Sequence, residues 1–166
     1  MNILVLGHKQ HGKGTFTSLC REFWNIPGIS SSQYSLENII FPVLAPKYGY
    51  KTLEECFNDR HSKREEWFKL IAAFNHPDGT ALARAILAEH RIYDGMRNDL
   101  EFEACVQAKL FDYIFWVDAS ERKPLESRAS MNIDFDPQLM IKVDNNAGPE
   151  YIRQYVQCSQ ILRLAA

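Results

Sequence analysis

A glycine-rich stretch near the amino end contains the residue types that bind phosphate. The run GHKQHGKGT, at positions 7–15, follows the apolar residues NILVL and precedes FTSLCREFW, whose apolar residues have helical spacing. Glycine backbone can turn tightly and bring N–H groups close to an anion, and the following helix points its amino end at the same anion. Lys13 adds a compact positive charge suited to the β- and γ-phosphates of a nucleotide. The spacing therefore predicts a phosphate-binding loop between a strand and a helix.

Two alternatives apply to this loop. It could be a glycine-rich turn without a ligand, but the strand before it and the helix after it both favour phosphate binding. His8 and His11 could bind a metal ion, but no carboxylate or Cys stands beside them in the sequence. We therefore expect both histidines to be solvated loop positions near the phosphate.

A second phosphate would require arginine side chains, because a guanidinium binds phosphate through two parallel N–H bonds. Arg97 follows YDGM at the predicted end of a strand, where ligands bind in open α/β sheets. Asp94, three residues earlier, could hold Mg²⁺ through water or could simply cap the next helix. The pair predicts a phosphate and metal position next to the glycine loop.

Four further arginines are candidates with weaker support. Arg60 and Arg64 lie four residues apart, on one face if that stretch is helical, where they could instead form surface ion pairs. Arg122 and Arg128 occur in the polar segment after WVDAS, which is either a substrate-facing loop or a solvated one.

The elements that must position these residues alternate between strands and helices, a pattern that predicts an α/β fold with a parallel sheet covered on both faces. Apolar runs without alternation predict strands buried on both faces. NIPGISSSQYS is expected to be loop with one short strand. The expected strands cover residues 2–6, 28–31, 91–94, 111–119 and 139–145, and the expected helices cover 13–24, 36–44, 52–74 in two pieces, 80–90, 98–110 and 146–157.

Length and composition limit the function classes. The chain has 166 residues, 46% hydrophobic and 24% charged, which predicts a single folded domain with a real core. A net charge of -2 gives no strong field toward duplex nucleic acid or an anionic membrane. The four cysteines have no metal or redox spacing, and no run is long enough for a signal or membrane segment. We expect a cytoplasmic protein, monomeric or homodimeric.

With these motifs in collinear order, the sequence resembles the deoxynucleoside monophosphate kinases of tailed bacteriophages, within the P-loop nucleotide kinase superfamily. The glycine loop has the G-x-x-x-x-G-K-G-T form of nucleoside monophosphate kinases, with Gly14 where the commoner motif has a hydroxyl residue. The other matching pieces are SSQYSLENIIFPVL with KYGY, NDRHSKREEWFKLI, YDGMRNDLEFEA, YIFWVDAS and VDNNAGPEYIRQYV.

The resemblance implies a single P-loop kinase domain over residues 1–166, a three-layer α/β/α fold with a mainly parallel five-stranded sheet. It implies a helical acceptor-binding region near 30–90 and a short lid loop near 119–136, with cytoplasm of the phage host as the location. The acceptor's base and its ribose or deoxyribose sugar stay open. The resemblance also assigns roles: ATP contacts at Gly7, Gly12, Lys13, Gly14, Thr15, Asn145 and Asn146; Mg²⁺ near Thr15 and Asp94; acceptor contacts at Ser32, Tyr34, Phe41, Arg60, Arg64 and Arg97; and catalytic roles for Lys13, Asp94, Arg97, Arg122 and Arg128.

The implied activity is transfer of the ATP γ-phosphate to a small-molecule (deoxy)nucleoside monophosphate. Two alternatives stay open. One is a P-loop kinase of another acceptor, such as dephospho-CoA or a modified base in DNA. The other is a nucleotide-binding protein without turnover, which the second set of phosphate-binding candidates at Asp94 and Arg97 argues against.

Overall fold

A computed structural model describes residues 1–159 of the chain. Five strands form one sheet, and every pair of neighbouring strands in it is parallel. The strands are β1 (Ile3–Leu6), β2 (Gly28–Ser30), β3 (Ile92–Asp94), β4 (Tyr113–Asp118) and β5 (Ile141–Asp144).

Their order across the sheet is β2-β3-β1-β4-β5, so β1 is the central strand. β2 and β3 lie on one side of it, and β4 and β5 lie on the other. All carboxyl ends therefore lie at one edge of the sheet, where loops after β1, β3 and β4 meet. The registers align Val5 with Asp94 and Asp94 with Ser30, which places Asp94 next to the start of the glycine loop.

Helices cover both faces of the sheet. A π-helical turn, Leu36–Ile40, joins the second helix to the third, and a 3₁₀ turn, Asp59–His61, follows the fourth. Among residues 1–159, no helix combines the length and apolar character needed to cross a bilayer. The helices are α1 (Lys13–Trp24), α2 (Ser31–Ser35), α3 (Phe41–Tyr48), α4 (Leu53–Asn58), α5 (Arg64–Asn75), α6 (Ala81–Glu89), α7 (Asp99–Gln107) and α8 (Pro149–Cys158).

Two hydrophobic cores lie on opposite faces of the sheet, and the alternation along β1 separates them. Leu4 and Leu6 belong to the core formed with the helices between β2 and β4, whereas Ile3 and Val5 belong to the core formed with α1 and α8. All four residues are fully buried. The predicted three-layer α/β/α fold with a five-stranded parallel sheet is confirmed.

The helical region after β2 begins earlier than the sequence suggested. Ser30 caps α2 by accepting a hydrogen bond from the Gln33 N–H at 3.2 Å, and helical backbone then continues without a break to Tyr48. The expectation of a loop over residues 32–35 was therefore wrong, because the capping Ser30 stands among several other serines. The predicted acceptor-binding role of residues 30–90 stays a prediction.

The polar segment after β4 passes over the carboxyl edge of the sheet. It contains turns but no regular helix or strand between Asp118 and Ile141. Its side chains and backbone contact both the glycine loop and Arg97. This segment includes the range predicted as a lid, 119–136, whose movement stays a prediction.

Candidate active site

The glycine loop follows β1 and closes onto α1 through two glycines that no other residue could replace without strain. Gly7 has φ 134° and Gly12 has φ 104°, both outside the range that L side chains adopt easily. A Cβ at Gly7 would overlap the Val117 carbonyl oxygen, and one at Gly12 would lie 2.5 Å from the Asn145 amide nitrogen. The residues around the loop therefore require glycine at both positions.

Lys13 is the first residue of α1, and its ammonium lies over the loop. Its Nζ donates a hydrogen bond to the His8 carbonyl oxygen at 2.9 Å. Burial lowers the pKa of Lys13, and the nearby negative charge of Asp94 only partly opposes that shift. The ammonium is therefore incompletely solvated and would gain from a closer anion.

Asp94 ends β3 and is 5% exposed. The Thr17 hydroxyl donates a long hydrogen bond of 3.5 Å to its carboxylate. Burial raises the pKa of Asp94 to about 6, against the lowering effect of Lys13, Thr17 and Arg97. Thr17 was not predicted as a site residue, although its position four residues after Lys13 puts both side chains on one side of α1.

Arg64 and Arg97, both predicted to contact an acceptor, meet at a serine of the polar segment. Arg64 Nη2 donates to the Ser130 hydroxyl at 2.9 Å, and Arg97 Nη1 approaches the Ser130 carbonyl oxygen at 3.4 Å. Arg97 also forms a 2.6 Å ion pair with Glu126. Arg97 reaches this point from the loop after β3, and Arg64 reaches it from the start of α5.

Arg60 lies apart from that pair. Its guanidinium stacks on the Phe57 ring at 3.9 Å and donates to the Phe57 carbonyl oxygen at 2.9 Å. The same Phe57 ring lines a groove of about 410 Å³ beside the carboxyl end of β2. The groove is lined by three apolar residues and five polar ones: Leu36, Leu53 and Phe57, and Ser30, Ser32, Gln33, Glu37 and Glu54.

The predicted acceptor residues Ser32, Tyr34 and Phe41 are placed differently from one another. Ser32 lines the groove. Tyr34 is 7% exposed within the core, and Phe41 packs against the same core. Acceptor contacts by Tyr34 and Phe41 stay predictions.

The two arginines of the polar segment are not brought together. Arg122 Nε donates to the Asn145 carbonyl oxygen at 2.7 Å. Arg128 pairs with Asp134 at 2.8 Å, and its side chain is 70% exposed. Within residues 1–159, neither guanidinium forms a hydrogen bond or ion pair with the glycine loop. Their catalytic roles stay predictions.

Asn145 holds the glycine loop through a hydrogen bond to its backbone. Its side chain is buried, and its Nδ2 donates to the His11 carbonyl oxygen at 2.7 Å. Asn146 instead bonds to Asp144 and accepts from the Glu121 N–H. Contact of Asn145 and Asn146 with a nucleotide stays a prediction; the observed effect of Asn145 is on the loop.

His11 is fully buried, so the expectation that it is solvated was wrong. Its Nδ1 accepts a 3.0 Å hydrogen bond from the Ala119 N–H, which ties the loop to the end of β4. Because Nδ1 is an acceptor there, the 3.8 Å approach to Asp118 is not an ion pair. His8 is half-buried, and burial lowers its pKa, with neighbouring His11 adding to that shift.

Comparison with known proteins gives no family for this chain. No protein-family model matches it, and no curated protein does. Solved structures resemble it, and two of them match more than nine tenths of both chains. One is an unliganded sugar kinase from Janibacter sp. HTCC2649, with 13% identity over 99% of this chain and 96% of that one, and a TM-score of 0.48. The other is a protein of Chloroflexus aurantiacus j-10-fl to which a kinase activity is ascribed, with 19% identity over 93% and 94%, and a TM-score of 0.45. At these values neither likeness assigns a substrate.

Proposed function

We propose that this chain is an ATP-dependent kinase of nucleoside or deoxynucleoside monophosphates. One observation supports the proposal: two sets of positively charged side chains that could bind phosphate are joined through Glu126. The first is Lys13 on its glycine loop, and the second is Arg64 and Arg97 meeting at Ser130. Transfer between two small phosphates requires such a pair, whereas a protein that only binds a nucleotide requires one.

The first arrangement fits the triphosphate of ATP. Gly7 and Gly12 hold the loop in its tight path, and α1 begins directly after it, so its free N–H groups favour an anion. A Cβ at Gly14 would meet no atom of residues 1–159 within 4 Å. The protein itself does not require glycine there, but close approach of a phosphate would.

Thr15 and Asp94 would hold Mg²⁺ beside that triphosphate. Within residues 1–159, no three His, Cys, Asp or Glu side chains form a metal-binding group, so phosphate and water oxygens would complete the coordination. A bound Mg²⁺ would neutralise charge on the phosphate oxygens. The register that aligns Asp94 with Val5, next to the glycine loop, supports this assignment.

The chain's own groups would then position the reacting atoms. An acceptor phosphate oxygen forms a bond to the γ-phosphorus while the bond to the bridging oxygen breaks and that oxygen leaves with ADP. Arg97 and Arg64 would hold the acceptor phosphate, and Lys13 would stabilise charge on the transferring group. The groove beside Ser30 would hold the acceptor's nucleoside, with Ser32 and Phe57 as contacts. Arg122 and Arg128 are proposed lid residues that would first leave their present partners.

A panel of acceptors tests the proposal. Release of ADP from ATP is measured by a coupled assay with each ribo- and deoxynucleoside monophosphate, and with a reaction lacking acceptor as the control. We expect at least one monophosphate to raise ADP release about 10³-fold or more over the control, because a kinase positions its acceptor and excludes water. The preferred monophosphate also identifies the base and sugar.

Two results would contradict the proposal. If ATP binds but no monophosphate is phosphorylated, one of the other acceptors or a binding role without turnover replaces it. If ATP does not bind, the glycine loop has another ligand. Dephospho-CoA and single-stranded DNA with modified bases, tested in the same assay, distinguish these cases.

Asp94→Asn should stabilise the fold while it impairs phosphoryl transfer. The folded-state pKa near 6 lies above the ordinary value of 3.8, so the folded chain binds more protons between those pH values. Stability contributed by this group is therefore present below pH 4 and lost as pH rises toward 6. At pH 7.5 we expect the variant to be more stable by about 1 to 3 kcal/mol, and its kcat to fall about 10²-fold.

Urea unfolding at pH 7.5 and at pH 4.5, with turnover at pH 7.5, checks both parts. The stability difference between variant and wild type should shrink at the lower pH, where the wild-type carboxyl is already protonated. A wild type that is more stable than the variant at pH 7.5 would mean that the negative charge of Asp94 stabilises the fold.

A further inference from the structure

Glu126 places its carboxylate between the glycine loop and Arg97. Its Oε2 accepts a 2.5 Å hydrogen bond from the Lys9 N–H, and its Oε1 accepts a 2.6 Å bond from Arg97 Nη1. Its own N–H donates to His8 Nδ1 at 3.1 Å. These contacts join residues 117, 29 and 118 positions apart, so they are not a product of local loop geometry.

The groups around this carboxylate are those that bind a phosphate oxygen. They comprise one backbone amide of the glycine loop, one guanidinium and, nearby, the Lys13 ammonium, whose pKa Glu126 helps to raise against burial. Burial tends to raise the pKa of Glu126, but Arg97 and the hydrogen bonds to the carboxylate lower it on balance. The carboxylate is therefore a stable anion in a cationic site.

A ligand could reach Glu126 and Arg97 from solvent. The Glu126 side chain is 15% exposed and the Arg97 side chain is 41% exposed, so neither is locked inside the core. The segment that carries Glu126 has no regular secondary structure between β4 and β5. Phosphates have more charge and more acceptor oxygens than a carboxylate. They could displace the Glu126 carboxylate from the Lys9 N–H and from Arg97 without unfolding a helix or strand.

We propose that Glu126 competes with two substrate phosphates, with the triphosphate for the Lys9 amide and with the acceptor phosphate for Arg97, and so sets the affinity of the site for phosphate. The inference rests on the proposed function in assuming a phosphate ligand, although it does not depend on which acceptor is used. Glu126 is thus a positioning residue: its carboxylate holds the loop and Arg97 in place until a phosphate oxygen replaces it.

Removing the charge of Glu126 should therefore tighten phosphate binding. Glu126→Gln keeps the shape of the side chain and one acceptor oxygen, and Glu126→Ala removes both. We expect inorganic tripolyphosphate and Mg·ATP to bind about tenfold more tightly to either variant, because the Lys9 N–H of the glycine loop no longer has to be released from a carboxylate first. If Glu126 only held the glycine loop in place, its removal would loosen the loop and phosphate would bind more weakly.

The experiment is calorimetric titration of the full chain with tripolyphosphate and with Mg·ATP. Glu89→Gln is the matched control, because it makes the same charge change on an exposed residue that ends α6, at the opposite edge of the sheet. Circular dichroism and thermal melting of each variant confirm folding. The KM for ATP should fall in Glu126→Gln, whereas kcat should not rise in proportion.

Unchanged or weaker tripolyphosphate binding by a folded Glu126→Gln would overturn the inference, as would an equal change in Glu89→Gln. Absence of tripolyphosphate binding by every form of the chain would overturn both the inference and the proposed function. Tighter binding by Glu126→Gln without phosphorylation of any monophosphate would support the inference and contradict the proposed function.

Discussion

Replacing Lys13 by alanine should lower kcat about 10³-fold or more, the largest effect expected of any single change in this chain. Lys13 has the only ammonium that lies over the glycine loop among the described contacts, where it donates to the His8 carbonyl oxygen. Charge on the transferring phosphoryl group spreads over its oxygens in the transition state, so a fixed ammonium contributes most there. The measurement is steady-state ADP release with the acceptor that the panel identifies.

Two variants make the result specific. Lys69→Ala removes an exposed ammonium of α5 that pairs with Glu65, and it should leave kcat within about twofold of wild type. Lys13→Arg keeps the charge but adds bulk in a half-buried position, and we expect it to recover only a small part of the activity. If Lys13→Ala kept more than a tenth of wild-type turnover, the ammonium would not be acting on the transferring phosphate.

Replacing Arg97 by alanine should damage use of the acceptor far more than binding of ATP. Arg97 meets Arg64 at Ser130, whereas Lys13 donates to the His8 carbonyl oxygen of the glycine loop. Loss of a bidentate contact to phosphate should reduce kcat/KM for the acceptor by about 10² to 10³-fold. The Kd for Mg·ATP should change by less than about threefold, because the glycine loop and Lys13 remain.

Initial rates against acceptor concentration, together with titration of Mg·ATP, separate the two effects. Arg97→Lys keeps a positive charge but loses the fork, so it should lie between wild type and Arg97→Ala. Arg91→Ala is the matched control, because Arg91 precedes β3 at the far edge of the sheet and bonds to Asn2 there. Equal losses in acceptor use and in ATP binding would contradict the assignment of Arg97 to the acceptor.

The fold was largely predictable because its signals are local. Apolar runs such as NILVL and YIFWV predicted strands at β1 and β4, a short strand was expected within the loop segment that contains β2, and helical spacing predicted both ends of α1. The short helix over residues 31–35 was missed, because one capping serine among three others has no distinguishing pattern. Parallel pairing then followed from alternation of strands and helices, which leaves few ways to connect the strands.

The site was predictable where sequence position determines geometry. The glycine loop and Asp94 follow from glycine spacing and from the end of a strand, and parallel strands bring their carboxyl ends to one edge. Glu126, His11 and Asn145 were not identified as loop contacts, because each contact joins residues more than 100 positions apart. No periodicity or motif marks such pairs. Burial of Tyr34 was equally hidden, since an aromatic residue at helical spacing suits either a core or a binding face.

A crystal structure with a non-hydrolysable ATP analogue, Mg²⁺ and the preferred monophosphate tests the central claim most directly. We predict that the triphosphate lies in the loop between Gly7 and Gly14, that Lys13 Nζ leaves the His8 carbonyl oxygen for a phosphate oxygen, and that Arg97 contacts the acceptor phosphate. A triphosphate bound elsewhere, or a Lys13 ammonium still on the His8 carbonyl oxygen and away from any phosphate, would contradict the proposed function.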